Sequence, residues 1–203
     1  RSWAAEVRDR FLDPLRLTSA SIQGVEKSRT TISHGYRFTS ASKTAKPIDL
    51  WDGTGVVPFR SVVTAAGAAG AVAASSWDLA RWTRALYGGS LLAAPALGTM
   101  LDTGASSKYR YALPYGLGVQ QYTIGGRIAY GHGGRLMGAR AAIRYIASEG
   151  ISVAVVLNTD RGDPAVIASS LLEVVLPPLP PPSPSPSVPA PSPSGSPVPS
   201  PSP

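Results

Sequence analysis

The sequence predicts an α+β domain in which helices flank an antiparallel sheet, followed by a disordered tail. Between positions 115 and 157, β-rich segments alternate with glycine-bearing turns, which is the pattern of consecutive antiparallel strands. On both sides of this region, apolar residues recur at helical spacing next to capping signals. The chain has 203 residues, 43% of them hydrophobic, so residues 1–176 are long enough to form one domain with one core.

The first predicted element is an amphipathic helix, because Trp3, Val7 and Phe11 recur at helical spacing. It ends at Asp13 and Pro14, since proline cannot continue a helix. Residues 18–58 are polar and are interrupted by glycine and proline, so we expect loops and short hairpins there.

The best-marked helix starts after Ser75, which lies three residues before Asp78 in the spacing of a capping box. Its apolar positions follow at helical spacing and are Leu79, Trp82 and Leu86. Two glycines at 88 and 89 then end it. A shorter helix is expected over residues 95–101.

Four β-rich segments come next, at residues 116–124, 127–130, 139–146 and 151–157. We expect residues 127–134, 139–146 and 151–157 to be adjacent antiparallel strands with a final helix, 164–175, packed on them. The segment 151–157 is apolar almost throughout and is therefore predicted near the sheet centre, covered on both faces. The final helix is capped by Asp163 and Pro164 and places Ile167, Leu171 and Val174 along one face.

Residues 177–203 are mainly proline and serine with few large apolar side chains, so they cannot pack a core. We interpret this tail as an extended, polyproline-II-rich spacer. A ligand for a proline-recognition module is the alternative.

Composition restricts the possible partners. The chain has no cysteine, which excludes disulfides and thiolate metal sites, and we expect no metal or other cofactor. Its net charge of +7 comes from scattered basic residues without a run or an aromatic-interleaved stripe, so nucleic acid is not the expected partner. No apolar run approaches the length of a membrane span. Because the chain opens on Arg1 and goes directly into a helix, we expect it to be the carboxy-terminal part of a longer protein.

The segment most indicative of a catalytic site is Gly131-His132-Gly133-Gly134, which is predicted as a strand end followed by a glycine-rich turn. Histidine can exchange protons near neutral pH, and the glycines let the backbone approach a substrate closely. By contrast, the formal Ser-x-x-Lys at Ser40 to Lys43 lacks apolar periodicity and precedes Pro47, so we interpret it as a chance match. His34 is interpreted as a loop residue.

Several segments in order resemble the serine β-lactamase and D-alanyl-D-alanine carboxypeptidase superfamily, the class C-like penicillin-binding proteins. Gly131 to Gly134 resembles the family's Gly-His-x-Gly box, and Tyr115-Gly116-Leu117-Gly118 resembles the Tyr-Gly-Leu-Gly strand before it. The other matching segments are the Ser-x-x-Asp-Leu-Ala pattern within residues 69–86, the closing strand with Asn-x-Asp in 153–160, and Asp13-Pro14-Leu15 at the end of the first helix, with Arg16 where glycine is usual.

This resemblance implies the family fold and its acyl-enzyme chemistry. His132 would be catalytic, as an electrostatic or proton-relay partner. Gly133, Gly134 and Arg135 would bind substrate, with the Arg135 backbone N–H as the second oxyanion-hole donor. The family's Ser-x-x-Lys and Tyr-x-Asn motifs are expected upstream of this chain, because a serine hydroxyl needs a neighbouring base to become a nucleophile.

Where better-known members have threonine, this chain has Gly133, which offers no hydroxyl to a substrate carboxylate. The resemblance therefore favours an esterase or peptidase-like activity over β-lactam or D-alanyl-D-alanine recognition, unless Arg135 or Arg140 supplies a cationic contact. The expected function is amide, β-lactam or ester hydrolysis on a small-molecule or peptide substrate, including carboxypeptidase activity on peptidoglycan-like peptides, in the cell envelope or outside the cell. A non-catalytic ligand-binding or envelope-attachment module is the alternative.

Overall fold

A computed structural model describes residues 1–104 and 113–179 of the chain. The α-helices of this part are α1 (Trp3–Val7), α2 (Arg60–Ala66), α3 (Ser76–Tyr87), α4 (Ala94–Leu101) and α5 (Pro164–Val175). The strands are β1 (Ser21–Ile22), β2 (Tyr36–Arg37), β3 (Ile48–Asp49), β4 (Val72–Ala73), β5 (Gln120–Ile124), β6 (Arg127–Leu136), β7 (Ala139–Ile146) and β8 (Ile151–Leu157). Most of the predicted tail, from residue 180 onward, lies outside the described residues. Within the described ranges, none of the helices has both the length and the apolar character needed to cross a membrane.

Strands β5 to β8 form one antiparallel sheet in sequence order, joined by short turns. This confirms the predicted run of adjacent antiparallel strands and the helix packed on it. Helix α5 covers one face, where Leu172 is buried against Ala129 and Ile146. Helix α3 covers the other face, where the Ser152 hydroxyl donates to the carbonyl of Ala80 at 3.0 Å.

Strand β8 is covered on both faces, as its sequence predicted, but its predicted place near the sheet centre is wrong. It is an outer strand of the four, and over its own length it pairs only with β7 in the described part of the chain. Just after β8, the backbone of Tyr36 pairs with Asn158 and Asp160, at 2.9 and 3.0 Å. A continuous apolar run indicates that both faces of a strand are covered, but it does not indicate which strands pair with it or whether it is central in the sheet.

Helix α5 begins as predicted, with the Asp163 carboxylate accepting from the Ala165 N–H at 2.8 Å. The residues that it buries are Pro164, Ala168 and Leu172. The predicted set, Ile167, Leu171 and Val174, is exposed, and Val174 is 84% exposed. Both faces of this helix are apolar, and the small Ala168 lets it approach Ala142 and Val155 closely.

The strand predicted over residues 116–124 is shorter in the structure. Gly116 and Val119 close a turn by a backbone hydrogen bond of 2.8 Å, and the Leu117 N–H donates to Met100 at the end of α4. Gly118 has a φ of +73°, which disfavours a continuous strand. Pairing with β6 therefore begins only at Gln120, which also forms an isolated bridge with Tyr115.

The first helix follows its prediction. Ser2 caps α1, and the helix continues through a π turn, Arg8–Leu12, before the chain turns away at Asp13 and Pro14. Its Phe11 ring meets Trp82 of α3 edge-on at a centroid distance of 5.4 Å. The region 18–58 contains only the three short strands β1 to β3 between loops, as predicted.

Helix α3 is held to the amino-terminal segment by a polar contact. The Ser75 hydroxyl accepts from the Asp78 N–H at 3.2 Å, which confirms the predicted cap. The Asp78 carboxylate is buried and accepts from the backbone N–H and the hydroxyl of Ser19, at 2.8 and 2.7 Å. The capping segment therefore joins α3 to the chain that follows α1.

Candidate active site

His132 lies on β6 and is fixed through both ring nitrogens. Nδ1 is 2.6 Å from the carbonyl oxygen of Gly133, and Nε2 is 3.0 Å from the hydroxyl of Tyr115. A carbonyl oxygen only accepts, so Nδ1 carries a proton, and in the neutral ring Nε2 accepts from the tyrosine hydroxyl. The two rings meet edge-on at 5.7 Å. The imidazole therefore has one orientation and one favoured tautomer.

Beyond His132, one edge of β6 has no partner strand among residues 1–104 and 113–179, and we call it the open edge. Strand β5 reaches only as far as the pairing of Gln120 with Gly131, whereas β7 accompanies β6 to Leu136. Leu136 and Ala139 close a two-residue turn, and hydrogen-bonded pairs alternate along an antiparallel ladder. This register directs the backbone N–H groups of Gly133 and Arg135 away from β7, toward the open edge.

The glycines of this segment have different environments. A Cβ at Gly131 would overlap the carbonyl oxygen of Ile143, so no larger residue fits without moving β7. A Cβ at Gly133 would meet only the carbonyl oxygen of Ala141, at 4.0 Å, and one at Gly134 would meet the Ala141 side chain at 3.6 Å. Gly131 thus allows β6 and β7 to pack closely, whereas Gly133 and Gly134 have space around them that a substrate could occupy.

Gly133 and Gly134 are part of the strand, which corrects the expectation that a turn follows His132. They pair with Ala142 and Ala141, and the turn comes later, at Met137 and Gly138. Glycine runs are typical of turns, but here the partner strand supplies small residues opposite them, and the ladder continues.

A buried cation lies beneath the strand that carries His132. Arg144 is 2% exposed, stacks on the Tyr122 ring at 3.6 Å and donates to the carbonyls of Ile143 and His132, at 2.7 and 3.3 Å. Burial lowers the pKa of Arg144 and raises the pKa of Tyr122. This arginine supports the backbone at His132, and the sequence offered no signal for it beyond a polar residue inside an apolar strand.

The predicted substrate-binding residues Gly133, Gly134 and Arg135 all lie on the open part of β6 next to His132. The Arg135 side chain, however, is on the opposite face of the sheet from His132, because successive side chains of a strand alternate. Arg140, its cross-strand partner, shares that opposite face. Their guanidinium groups therefore point away from the His132 side.

The residues interpreted as non-functional lie elsewhere. Ser40 and Lys43 are exposed in a loop, so they lack the helical spacing that turns a Ser-x-x-Lys lysine toward its serine. His34 is in a loop, where Nδ1 is 2.8 Å from the Asp49 carboxylate and the ring stacks on Trp51 at 4.5 Å. This contact lowers the pKa of Asp49.

Tyr115 is the site residue that residue-by-residue reasoning missed. Its signal was present in the Tyr115-Gly116-Leu117-Gly118 motif, which was used only as a marker of order. Within residues 1–104 and 113–179, no cluster of three or more His, Asp or Glu side chains is arranged to hold a metal ion.

Three comparisons place these features among known proteins. The chain resembles a D-stereospecific amidohydrolase from Streptomyces sp., with 28% identity and a TM-score of 0.62 over 79% of this chain and 45% of that one. It also resembles the octameric penicillin-binding protein homologue from Pyrococcus abyssi, with 22% identity and a TM-score of 0.66 over 85% of this chain and 37% of that one. A third match is the D-amino acid amidase from Ochrobactrum anthropi SV3, with 21% identity and a TM-score of 0.61 over 79% and 45% of the two chains.

The chain thus spans less than half the length of these three proteins. No match was found among curated proteins. The sequence profile of the beta-lactamase family matches residues 1–175, which is the whole of the described domain up to the end of α5. The chain therefore belongs to the beta-lactamase family.

Proposed function

We propose that this chain forms the His132-bearing wall of a serine hydrolase active site that cleaves an amide or ester through an acyl-enzyme. The observation that carries the proposal is the fixed His132 imidazole beside an open strand edge. Family membership and the likeness to an amidohydrolase support the reaction class.

In this proposal the open edge binds the substrate. The outward N–H groups of Gly133 and Arg135 can donate to a carbonyl, and a donor fixed before reaction stabilises the developing oxyanion more than it stabilises the ground state. His132 acts as a proton-relay or electrostatic partner, held by Tyr115 in the orientation it needs. The nucleophilic serine and its lysine come from a Ser-x-x-Lys motif in a segment amino-terminal to this chain.

We propose amides and esters rather than β-lactams or D-alanyl-D-alanine peptides as preferred substrates. Gly133 provides no hydroxyl for a substrate carboxylate. Two of the proteins named above are a D-stereospecific amidohydrolase and a D-amino acid amidase, and we extend amide hydrolysis to this chain as part of the proposal.

The first experiment replaces His132 in a form of the protein that includes the Ser-x-x-Lys segment. His132→Ala should lower kcat/KM for an ester by about 10²- to 10⁴-fold with an unchanged circular dichroism spectrum. His34→Ala, which removes a histidine from an exposed loop, is the matched control and should change the rate little. Equal effects of the two variants, or an unchanged rate for His132→Ala, would overturn the proposal.

The second experiment concerns substrate class. Gly133→Thr fits sterically, since a Cβ there has open space, and it adds the hydroxyl that Gly133 lacks. We expect it to raise kcat/KM for a β-lactam relative to an ester that has no carboxylate. Successive side chains alternate, so the Gly133→Thr hydroxyl leaves the sheet on the Arg135 face and that of Gly134→Thr on the His132 face, and comparing the two variants tests whether the position of the hydroxyl matters. An unchanged substrate ratio for Gly133→Thr would contradict the assigned substrate class.

A third experiment examines Ser40 directly. The 203-residue chain should show no covalent labelling by a fluorophosphonate, because Ser40 and Lys43 lie in an exposed loop. Stoichiometric labelling at Ser40 would show that this interpretation is wrong.

We further propose that the protein acts in the cell envelope or outside the cell, as the family resemblance and the net charge of +7 suggest, and fractionation of cells with an antibody to the chain tests this.

A further inference from the structure

On the sheet face opposite His132, a cavity of about 300 Å³ opens at the tip of the β6–β7 hairpin. We call it the arginine pocket. Its lining consists of residues 38–41 together with Arg135, Arg140, Asp160 and Arg161. Three arginines and one aspartate therefore line this open cavity.

Arg135 and Arg140 are directly opposite each other on β6 and β7. They form a non-hydrogen-bonded pair, in which the Cα atoms are only about 4.5 Å apart, and like charges in such a pair destabilise a sheet. Neither side chain forms an ion pair with a carboxylate in residues 1–104 or 113–179. Nε of Arg140 is buried and has no hydrogen-bond partner among these residues. The structure thus holds two cations together with no described side-chain anion between them.

Arg161 is the third cation and is held in place by the backbone. Its Nη2 donates to the carbonyls of Ser40 and Ser42, each at 2.6 Å, and its guanidinium lies over the Phe38 ring at 3.7 Å. The Asp160 carboxylate accepts from the Phe38 N–H at 3.0 Å and forms no ion pair with these arginines. The carboxylate therefore shapes the loop, and the excess positive charge of the pocket remains.

An apolar cavity adjoins the arginine pocket. It has a volume of about 380 Å³, shares Phe38 and Arg161 with the pocket, and is further lined by Tyr36, Pro47 and Thr159. A ligand can therefore place an anionic group among the arginines and a flat apolar group beside the aromatic rings.

We propose that the arginine pocket binds a compact oxyanion, a phosphate or a carboxylate, that is carried on an aromatic or similarly apolar body. Guanidinium groups match both oxyanions by paired N–H donors, and the bound charge would compensate the Arg135–Arg140 repulsion. This site is distinct from the His132 edge and does not depend on the proposed hydrolase activity.

The experiment measures binding of four probes to the 203-residue chain by isothermal titration at low ionic strength, where electrostatic contacts are least screened. The probes are phenyl phosphate, benzoate, inorganic phosphate and benzyl alcohol. We expect saturable binding of phenyl phosphate, benzoate or both, weaker binding of inorganic phosphate and none of benzyl alcohol. Binding of only one aromatic anion identifies phosphate or carboxylate as the favoured group. Absence of saturable binding for both aromatic anions would overturn the proposal.

Matched variants separate this pocket from general attraction to a basic protein. Arg135→Gln should weaken binding by about tenfold or more, because charge-assisted hydrogen bonds are lost. Arg84→Gln changes the net charge equally at an exposed position on α3 and should leave the affinity unchanged. Equal weakening by both variants would refute a built site.

Stability without ligand provides a second readout. Arg135→Gln should raise the urea midpoint of the unligated chain, since it removes one of two facing like charges, whereas phenyl phosphate should raise the midpoint of the unchanged chain. A lower midpoint for unligated Arg135→Gln would mean that the arginine pair is already compensated within the chain, and the proposal would fail.

Discussion

Replacement of Asp78 should weaken the contact between the amino-terminal segment and α3 and so lower the free energy of unfolding. The carboxylate is 3% exposed and accepts from the Ser19 N–H and hydroxyl, at 2.8 and 2.7 Å, with a longer contact of 3.5 Å to Arg81. It also lies in the first turn of α3, where a negative charge is favourable. Asp78→Ala removes these interactions together and leaves the Ser19 N–H without its partner, whereas the Ser19 hydroxyl keeps the Ser75 hydroxyl at 2.8 Å.

The magnitude follows from the two short bonds. A hydrogen bond to a charged group contributes about 1.5–3 kcal/mol, so Asp78→Ala should lower the free energy of unfolding by about 3–5 kcal/mol. Asp78→Asn keeps the shape and one acceptor oxygen, and we expect about half of that loss. Domains have only about 5–15 kcal/mol in total, so the alanine variant should be close to unfolding at 37 °C.

Urea unfolding followed by circular dichroism measures these values. Asp9→Asn is the control, since Asp9 is exposed and its ion pair with exposed Arg1 should contribute less than about 1 kcal/mol. Ser19→Ala combined with Asp78→Ala in a double-mutant cycle should give a coupling energy of about 1–2 kcal/mol. Zero coupling, or an Asp78→Ala loss no larger than that of Asp9→Asn, would refute the assigned role of this carboxylate.

Three further outcomes follow from burial and packing. Leu172→Ala should lower the free energy of unfolding by about 2–5 kcal/mol, since Leu172 is 0% exposed. Val174 on the same helix is 84% exposed, so Val174→Ala should lower it by less than about 0.5 kcal/mol. A similar urea midpoint for both variants would show that α5 does not pack as described. Gly131→Ala should separate β6 from β7, because its Cβ would overlap the Ile143 carbonyl oxygen, and amide hydrogen exchange along β7 should rise strongly; unchanged protection would contradict this strand pairing. Burial raises the pKa of Tyr87 to about 12, whereas an unfolded tyrosine titrates near pH 10. The unfolded state therefore loses its proton first, and stability should fall by about 2–3 kcal/mol as the pH rises from 10 to 12, less so in Tyr87→Phe; a pH-independent urea midpoint over this range would contradict the buried phenol.

Strong local signals predicted the fold well. The Ser75 cap, the proline after the first helix and the strands Ala139–Ile146 and Ile151–Leu157 agree with the structure, because caps and β-rich runs act within a few residues. The errors concern choices made by tertiary packing. The sequence did not indicate which face of α5 packs on the sheet, because the helix is apolar on both faces, and small Ala168 rather than large Ile167 faces the sheet.

The candidate site was predicted in part. His132 and its neighbours lie together on one strand, because a single contiguous motif carries them. Tyr115 was not predicted as their partner, since its contact with His132 spans seventeen positions and depends on the turn at Gly118. Arg135 lies opposite Arg140 because of the register between β6 and β7. The sequence does not determine this register until the turn at Met137 and Gly138 is known.

The outer position of β8 has a consequence for how the chain behaves at high concentration. Along Ile151–Leu157, where every residue except Ser152 is apolar, one row of backbone donors and acceptors has no partner strand within residues 1–104 and 113–179. Such an edge is a template for a strand from any neighbouring molecule, and it carries no charged side chain to discourage association. Association between molecules therefore depends on this unpartnered edge, whereas the stability of the fold depends on the two covered faces of the sheet.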